Sequence, residues 1–298
     1  MEWLQGLFSG PVSIDVFSFF TMLGEELVCI GLIGLFYWGF SKEIGKFLGL
    51  NLAVSVVWNP MIKNVVLRLR PYFSHATIKA LKPVEPSKDL YDVAAQGYSF
   101  PSGHSENSMV SFGSIALKTK QKWLKVVLFT IPVLVGISRF VLGVHYPTDV
   151  VCGWAVGIVI IIVVPLLRKV IKNDFLFLGL LLLTGIPGFF YCTSDDFYTG
   201  YGILLGACVS FIFEERLVKF ENTSNVLRAI LRTAVGGGIF MLLNVVLKLP
   251  FSKEFLASGT FSAHLLRTLR YALNLFIICG LYPMVFKPMD KLWRKKNG

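Results

Sequence analysis

The sequence predicts an all-α protein, a polytopic transmembrane helical bundle of about nine spans. Three observations carry this prediction. Of 298 residues, 54% are hydrophobic and the mean hydropathy is +0.66, where a soluble domain is about 45–50% apolar. Charged residues make up 16%, against about 25% in soluble chains. Apolar runs near the length of about 20 residues that crosses a bilayer recur between short polar connections.

Taken in order, residues 12–23 read as an interfacial helix and 24–40 as the first span, with 47–66 as the second. A polar loop of mixed composition, 71–100, follows. Further spans are expected at 103–117, 123–140, 148–167, 174–192, 200–213, 230–247 and 265–286. The run 200–213 is short, and is read as tilted, re-entrant or longer than its apolar stretch. Gly153-x3-Gly157 and Gly202-x3-Gly206 suit close helix packing. The five cysteines, Cys29, Cys152, Cys192, Cys208 and Cys279, are scattered in or beside apolar runs and read as buried apolar residues. They offer neither a disulfide framework nor zinc-ligand spacing.

The net charge of +11 would suit a nucleic-acid partner, but the basic residues stand in short clusters between apolar runs. No nucleic acid is expected. Eighteen of the 29 Lys and Arg fall on one side of the expected topology, in loops such as 41–46, 118–125 and 168–172. The positive-inside rule puts that side in the cytoplasm. The N-terminus and the loop 71–100 then lie outside and the C-terminus inside. The terminal Lys295-Lys296 reads as part of a basic cytoplasmic tail. No Lys or Arg precedes Lys42, so no cleaved signal peptide is expected.

Three polar segments interrupt this apolar background, all expected at the outer face. The first is Lys63 with Arg70-Pro71. Spaced seven apart, Lys63 and Arg70 would share one face of a helix, and either could instead snorkel to headgroups. Arg68 and Lys79 are read as snorkelling. The second is Pro101-Ser102-Gly103-His104, where Ser102 suits an N-cap and the helix N-terminus an anion. The third is Ser138-Arg139, His145 and Asp149. Pro147 suits the first turn of the next helix, from which Asp149 could orient His145 or simply cap. Together, three basic groups, a helix N-terminus and two histidines describe a phosphoryl-transfer site. His75 and His264 match no segment and read as surface or loop residues.

In order, the segments spell K-x6-R-P, P-S-G-H and S-R-x5-H-x3-D, eleven specified positions. They resemble the signature of the type 2 phosphatidic acid phosphatase and vanadium haloperoxidase superfamily. The resemblance covers roughly residues 45–168, between an N-terminal segment with the first span (1–44) and further helices with a basic tail (169–298). It implies that His145 attacks phosphorus to form a phosphohistidine, that Asp149 orients His145 and that His104 protonates the leaving oxygen. Lys63, Arg70, Ser102, Gly103 and Arg139 would hold the phosphoryl oxygens. No cofactor or metal is implied for the phosphatase branch. The haloperoxidases are soluble, so the apolar spans weigh against that branch. The nine-span layout with an outside N-terminus is similar to that of the glucose-6-phosphatases.

The expected activity is metal-independent hydrolysis of a lipid phosphate monoester, of phosphatidate or phosphatidylglycerophosphate type, at the outer surface of a bacterial cell membrane. A polyprenyl diphosphate such as undecaprenyl diphosphate stands next, then a soluble sugar phosphate or a phosphotransferase reaction. A non-catalytic lipid-phosphate binder or transporter is a further alternative, although binding alone needs no nucleophile. Residues 174–286 read as packing and bilayer fit, or as a substrate-side wall or dimer surface. Arg267 and Arg270 would meet an anionic headgroup or snorkel. The loop 71–100, with Tyr72, Phe73, Tyr91 and Tyr98, would cover a headgroup or serve as a solvated connector.

Overall fold

The computed structural model describes residues 1–8 and 10–288, and among these every regular element is helical. In chain order the principal helices are α1 (Glu2–Phe8), α2 (Pro11–Met22), α3 (Glu26–Gly34), α4 (Lys42–Val66), α5 (Gly103–Lys118) and α6 (Lys122–Val141). They are followed by α7 (Pro147–Val170), α8 (Asp174–Gly185), α9 (Asp195–Phe213), α10 (Val226–Val246) and α11 (Phe261–Leu275). Among the described residues six helices can cross a membrane by length and composition, and α2 with α3, bent by 44°, would make a seventh. Two of the nine expected spans fall outside that set. Asp174–Phe190 is short, and α5 has 16 residues rich in serine. The short run at 200–213 proves longer than it reads: the helix starts at Asp195 and continues through a π turn to Val218. The basic tail at 291–296 lies outside the described residues.

The chain forms two compact units, one of Met1–Cys29 with Trp58–Leu167 and the other of Ile30–Val57 with the described residues from Arg168 onward. At the centre of the first unit is α5, buried at every position from Ser105 to Ser114. A helix this polar cannot face lipid, so it sits where Ser105, Glu106 and Ser108 find hydrogen-bond partners, while the Ser111 hydroxyl has none among the described residues. Close approach makes that possible. A Cβ on Gly153 of α7 would come 2.6 Å from the Ser102 carbonyl oxygen, and one on Gly157 would come 3.0 Å from Met109 Cβ. The outward face of α7 carries exposed Val151, Ile162 and Leu166 in exchange.

The loop 71–100 of this unit is packed. Gln96 is buried and ties the loop to itself, donating to the carbonyls of Glu85 (2.9 Å) and Asp89 (3.2 Å). Gln5 of α1 donates to the Lys79 carbonyl at 2.8 Å and to the Val141 carbonyl at 3.2 Å, joining the loop to the end of α6. Tyr72 packs with Leu142 and Val144 and is not available to cover a headgroup, whereas Tyr91 is exposed.

In the second unit α9 lies against α11. A Cβ on Gly202 would come 2.4 Å from the Thr268 carbonyl oxygen, and one on Gly206 2.5 Å from that of Ala272. An aromatic core of Tyr37, Trp38, Phe211, Phe220 and Phe286 sits beside buried Glu214, which pairs with Lys42 (2.9 Å) and Lys46 (2.8 Å). His264, expected at the surface, is buried here. Its ring stacks on Tyr198 at 4.2 Å, because the polar face of α11 turns inward.

Candidate active site

The first unit brings the three polar segments together. Helix α4 ends at Val66, Leu67 takes a left-handed φ of 53°, and Arg70 is extended with ψ 155°. The residue before a proline avoids the helical region, and Pro71 enforces this on Arg70. Lys63 and Arg70 therefore do not share a helical face, contrary to the sequence expectation. The chain turns instead, and Arg70 enters the site buried. Its Nε donates to the carbonyls of Gln96 (2.8 Å) and Gly97 (3.0 Å), and its Nη1 to that of Val144 (2.9 Å).

Arg70 Nη1 also lies 3.3 Å from His145 Nε2. A guanidinium only donates, so Nε2 carries the lone pair and the proton of a neutral ring sits on Nδ1. Nδ1 faces Ser99 Oγ at 3.4 Å and Asp149 Oδ2 at 3.5 Å. His145 is 2% exposed. Burial first, then the charges of Arg70, Arg139 and Lys63, hold its imidazole well below the usual histidine pKa.

Asp149 is fully buried in the first turn of α7, as Pro147 predicts. Its Oδ2 accepts from the Tyr146 N–H at 2.8 Å and from the Ser99 hydroxyl, and its Oδ1 from Arg68 Nη1 at 3.0 Å. Arg68 does not snorkel. Its guanidinium stacks 3.9 Å over the Tyr146 ring and also donates to Thr148 Oγ1 at 2.7 Å. Sequence reasoning missed Arg68 and Ser99. Arg68 stands among the six unspecified positions of the first segment, and Ser99 stands two residues before the second.

Ser102 caps α5, its Oγ accepting from the Ser105 N–H at 3.4 Å and the Ser105 hydroxyl at 2.9 Å. The Ser102 N–H donates to the Asp149 carbonyl at 3.0 Å, so the second and third segments are joined through backbone. The N–H groups of Gly103 and His104 have no acceptor among the described residues, as first-turn donors of a helix lack one within it. A Cβ on Gly103 would meet Asn59 Oδ1 at 3.5 Å, an ordinary contact, so protein packing does not itself demand glycine there. His104 is half-buried, within electrostatic reach of Arg139, His145, Arg70 and Lys63. Its backbone is pressed by the bend after α2: a Cβ on Gly24 would come 2.9 Å from the His104 carbonyl oxygen.

Arg139 is 2% exposed and is held from outside the three segments. Its Nη1 donates to Thr21 Oγ1 at 2.9 Å, while its Nε has no partner. Ser138 Oγ donates to the Val135 carbonyl at 2.6 Å, so the 2.9 Å contact between Thr21 and Ser138 hydroxyls is donated by Thr21. Thr21 is thus a third residue that sequence reasoning missed, 118 positions from Arg139.

Residues 45–172 match the PAP2 superfamily, and residues 198–295 match the PAP2 superfamily phosphatase transmembrane extension. An undecaprenyl-diphosphatase of Sulfolobus acidocaldarius is 32% identical over 141 residues, 47% of this chain and 63% of that relative. A phosphatidylglycerophosphatase B of Bacillus subtilis is 30% identical over 180 residues, 57% of this chain and 78% of that relative. A crystal structure of a transmembrane PAP2 type phosphatidylglycerolphosphate phosphatase from Bacillus subtilis aligns with a TM-score of 0.44 at 28% identity, covering 58% of this chain and 86% of that one. With its apolar helices and a match that extends through the transmembrane extension, this chain is an integral membrane protein that belongs to the PAP2 superfamily.

Proposed function

We propose that this protein is a membrane phosphatase that hydrolyses a lipid phosphate monoester of phosphatidate or phosphatidylglycerophosphate type through a phosphohistidine on His145. The observation that carries the reading is the orientation of His145: its lone-pair nitrogen faces Arg70 and its other nitrogen faces Asp149 and Ser99. A phosphoryl group bound to Arg70, Arg139, Lys63 and the Gly103 N–H would lie at the nucleophilic atom. Charge stabilisation and positioning are most of what phosphoryl transfer asks of a protein.

In the first step the Nε2 lone pair forms the N–P bond as the P–O ester bond breaks, and His104 gives its proton to the leaving oxygen. Asp149 balances the charge that His145 gains, with Arg68, Ser99 and the Tyr146 N–H fixing the carboxylate. In the second step His104 takes a proton from water, whose oxygen displaces Nε2 from phosphorus and releases phosphate. Cationic side chains carry the charge that a metal would otherwise carry, which is the basis for reading the reaction as metal-independent. The outward face of the bacterial cell membrane is the expected location of the site.

The phosphatidylglycerophosphatase relative supports the monoester reading. The undecaprenyl-diphosphatase relative favours a second one, in which the same steps cleave the P–O–P bridge of a polyprenyl diphosphate and the leaving group is a polyprenyl phosphate rather than an alcohol. Phosphate release by the purified protein from phosphatidate, phosphatidylglycerophosphate, undecaprenyl diphosphate and glucose 6-phosphate, with chelator present, separates them. Fastest turnover of a lipid monoester is expected. Fastest turnover of the diphosphate moves the assignment to the second reading, and release restored only by a divalent ion refutes metal independence.

A further inference from the structure

The second unit holds a basic cluster that the phosphatase reading does not use. Arg270, on the inward face of α11, is 7% exposed, and its Nε is buried without a hydrogen-bond partner. Among the described residues its one side-chain neighbour at hydrogen-bond range is Asn244 of α10, with Nη2 3.5 Å from Oδ1. Lys248 stands four residues beyond Asn244, in the turn that follows α10, and is exposed. Desolvation first, then Arg270 and Arg267, hold its ammonium below the usual lysine value. Arg267 is committed elsewhere, donating to Asp195 Oδ2 at 2.6 Å. Among the described residues no carboxylate lies within salt-bridge range of Arg270 or Lys248.

A buried guanidinium without a counter-ion, beside two further cations, is costly in a membrane protein. An anion that accepts from the orphaned N–H removes that cost, and a phosphate oxygen suits guanidinium geometry. The flanking surface suits acyl chains: Met241, Leu242 and Val245 of α10 and Leu269 and Leu273 of α11 are exposed. Only 17% of the most apolar window of α10 is buried, the least of the candidate spans.

We propose that Arg270, Lys248 and Asn244 form a phosphate-binding site that takes the headgroup of an anionic phospholipid wedged between α10 and α11. The site is independent of the catalytic reading. Native mass spectrometry of the full chain in detergent, titrated with phosphatidylglycerol or phosphatidylcholine of matched acyl chains, tests it. One phosphatidylglycerol should bind in preference to phosphatidylcholine. Its Kd should rise about tenfold or more in Arg270→Met and in Lys248→Gln, as expected for losing one hydrogen bond to a charged group. Lys248 is exposed, so its variant decides even where Arg270→Met fails to fold. A Lys63→Gln background, which alters the catalytic site, should leave this binding unchanged. Displacement by millimolar inorganic phosphate would assign the affinity to the phosphate group alone, and retention would assign it to the whole lipid. Equal affinity for phosphatidylglycerol in wild type and Lys248→Gln, or loss of binding in Lys63→Gln alone, overturns the proposal.

Discussion

Replacing Thr21 by valine tests whether a residue outside the three polar segments sets the geometry of the site. The two side chains have nearly the same volume, so the packing of α2 against α6 is kept while the hydroxyl is lost. That hydroxyl is the one acceptor that the Arg139 guanidinium meets among the described residues, at 2.9 Å, and Arg139 Nε is already without a partner. A hydrogen bond to a charged group is worth about 1.5–3 kcal/mol. At about 1.4 kcal/mol per tenfold, the loss corresponds to roughly 10- to 150-fold in kcat/KM if Arg139 holds the phosphoryl group in the transition state. Only the part of the energy that Arg139 transmits to phosphate is lost, so the upper figure is a ceiling. The assay is a double-mutant cycle on phosphate release in detergent, with thermal stability measured alongside. Thr21→Val should lower kcat/KM in the wild-type background and change it little when Arg139 is already alanine. Equal losses in both backgrounds would mean that Thr21 acts through folding or another group, and the positioning argument would be wrong.

Further outcomes follow from the site geometry and from the distribution of loop charge. His104→Ala should lose about 10²–10⁴-fold on a lipid monoester and much less on an aryl phosphate with an acidic phenol, which needs no proton. His145→Ala should be inactive on both and never take label from radioactive phosphate; equal losses on both substrates for the two variants would mean that the roles are misassigned. Arg68→Gln removes one of three donors to Asp149, and a fall in kcat with KM nearly unchanged is expected; a rise in KM alone would make Arg68 a substrate ligand. Because burial and three cations lower the His145 pKa, its ring should stay neutral as pH falls below the ordinary histidine value of about 6.5. Carbon-13 histidine spectra, assigned by loss of a signal in His145→Gln, should give the neutral form at pH values just below that, and a ring protonated there contradicts the electrostatic account. In a background lacking the five cysteines, a cysteine at Ser87 should react with an impermeant thiol reagent added outside and one at Thr119 should not; the reverse pattern inverts the topology.

The all-helical membrane fold was legible because bilayer thickness dictates one feature, a long apolar run, that composition reveals directly. Helix α5 marks the limit of that signal. Its serines, Glu106 and Asn107 suit a helix enclosed by its neighbours, and hydropathy alone does not select it as a span. Helix starts were equally legible where one residue sets the local geometry. Ser102 caps α5, and Pro147 places Asp149 in the first turn of α7. The path between Lys63 and Arg70 was not, because the helical spacing suggested by seven residues gave way to the conformation that Pro71 imposes on Arg70.

What sequence spacing conceals at this site is the support behind its polar residues. Ser99 and Arg68 both bond to Asp149, from 50 and 81 residues away, and Thr21 bonds to Arg139 from 118. Each such bond depends on which elements pack together, and none leaves a periodic or local trace. Their chemistry nevertheless follows a single rule. A fully buried carboxylate must be matched by donors and a buried guanidinium by acceptors, and whether those partners are charged decides how far the ion is neutralised. Asp149 takes three donors, one of them the Arg68 guanidinium, and turns its Oδ2 toward His145 Nδ1 at 3.5 Å. Arg139 takes a neutral hydroxyl, where a carboxylate would have neutralised the cation, so that contact leaves its charge uncancelled. The same rule separates the two arginines of α11: Arg267 is neutralised by Asp195, while among the described residues Arg270 meets only an amide. A charge held by neutral groups is available to an anion, and that property, rather than the count of basic residues, distinguishes the places in this chain where phosphate would bind.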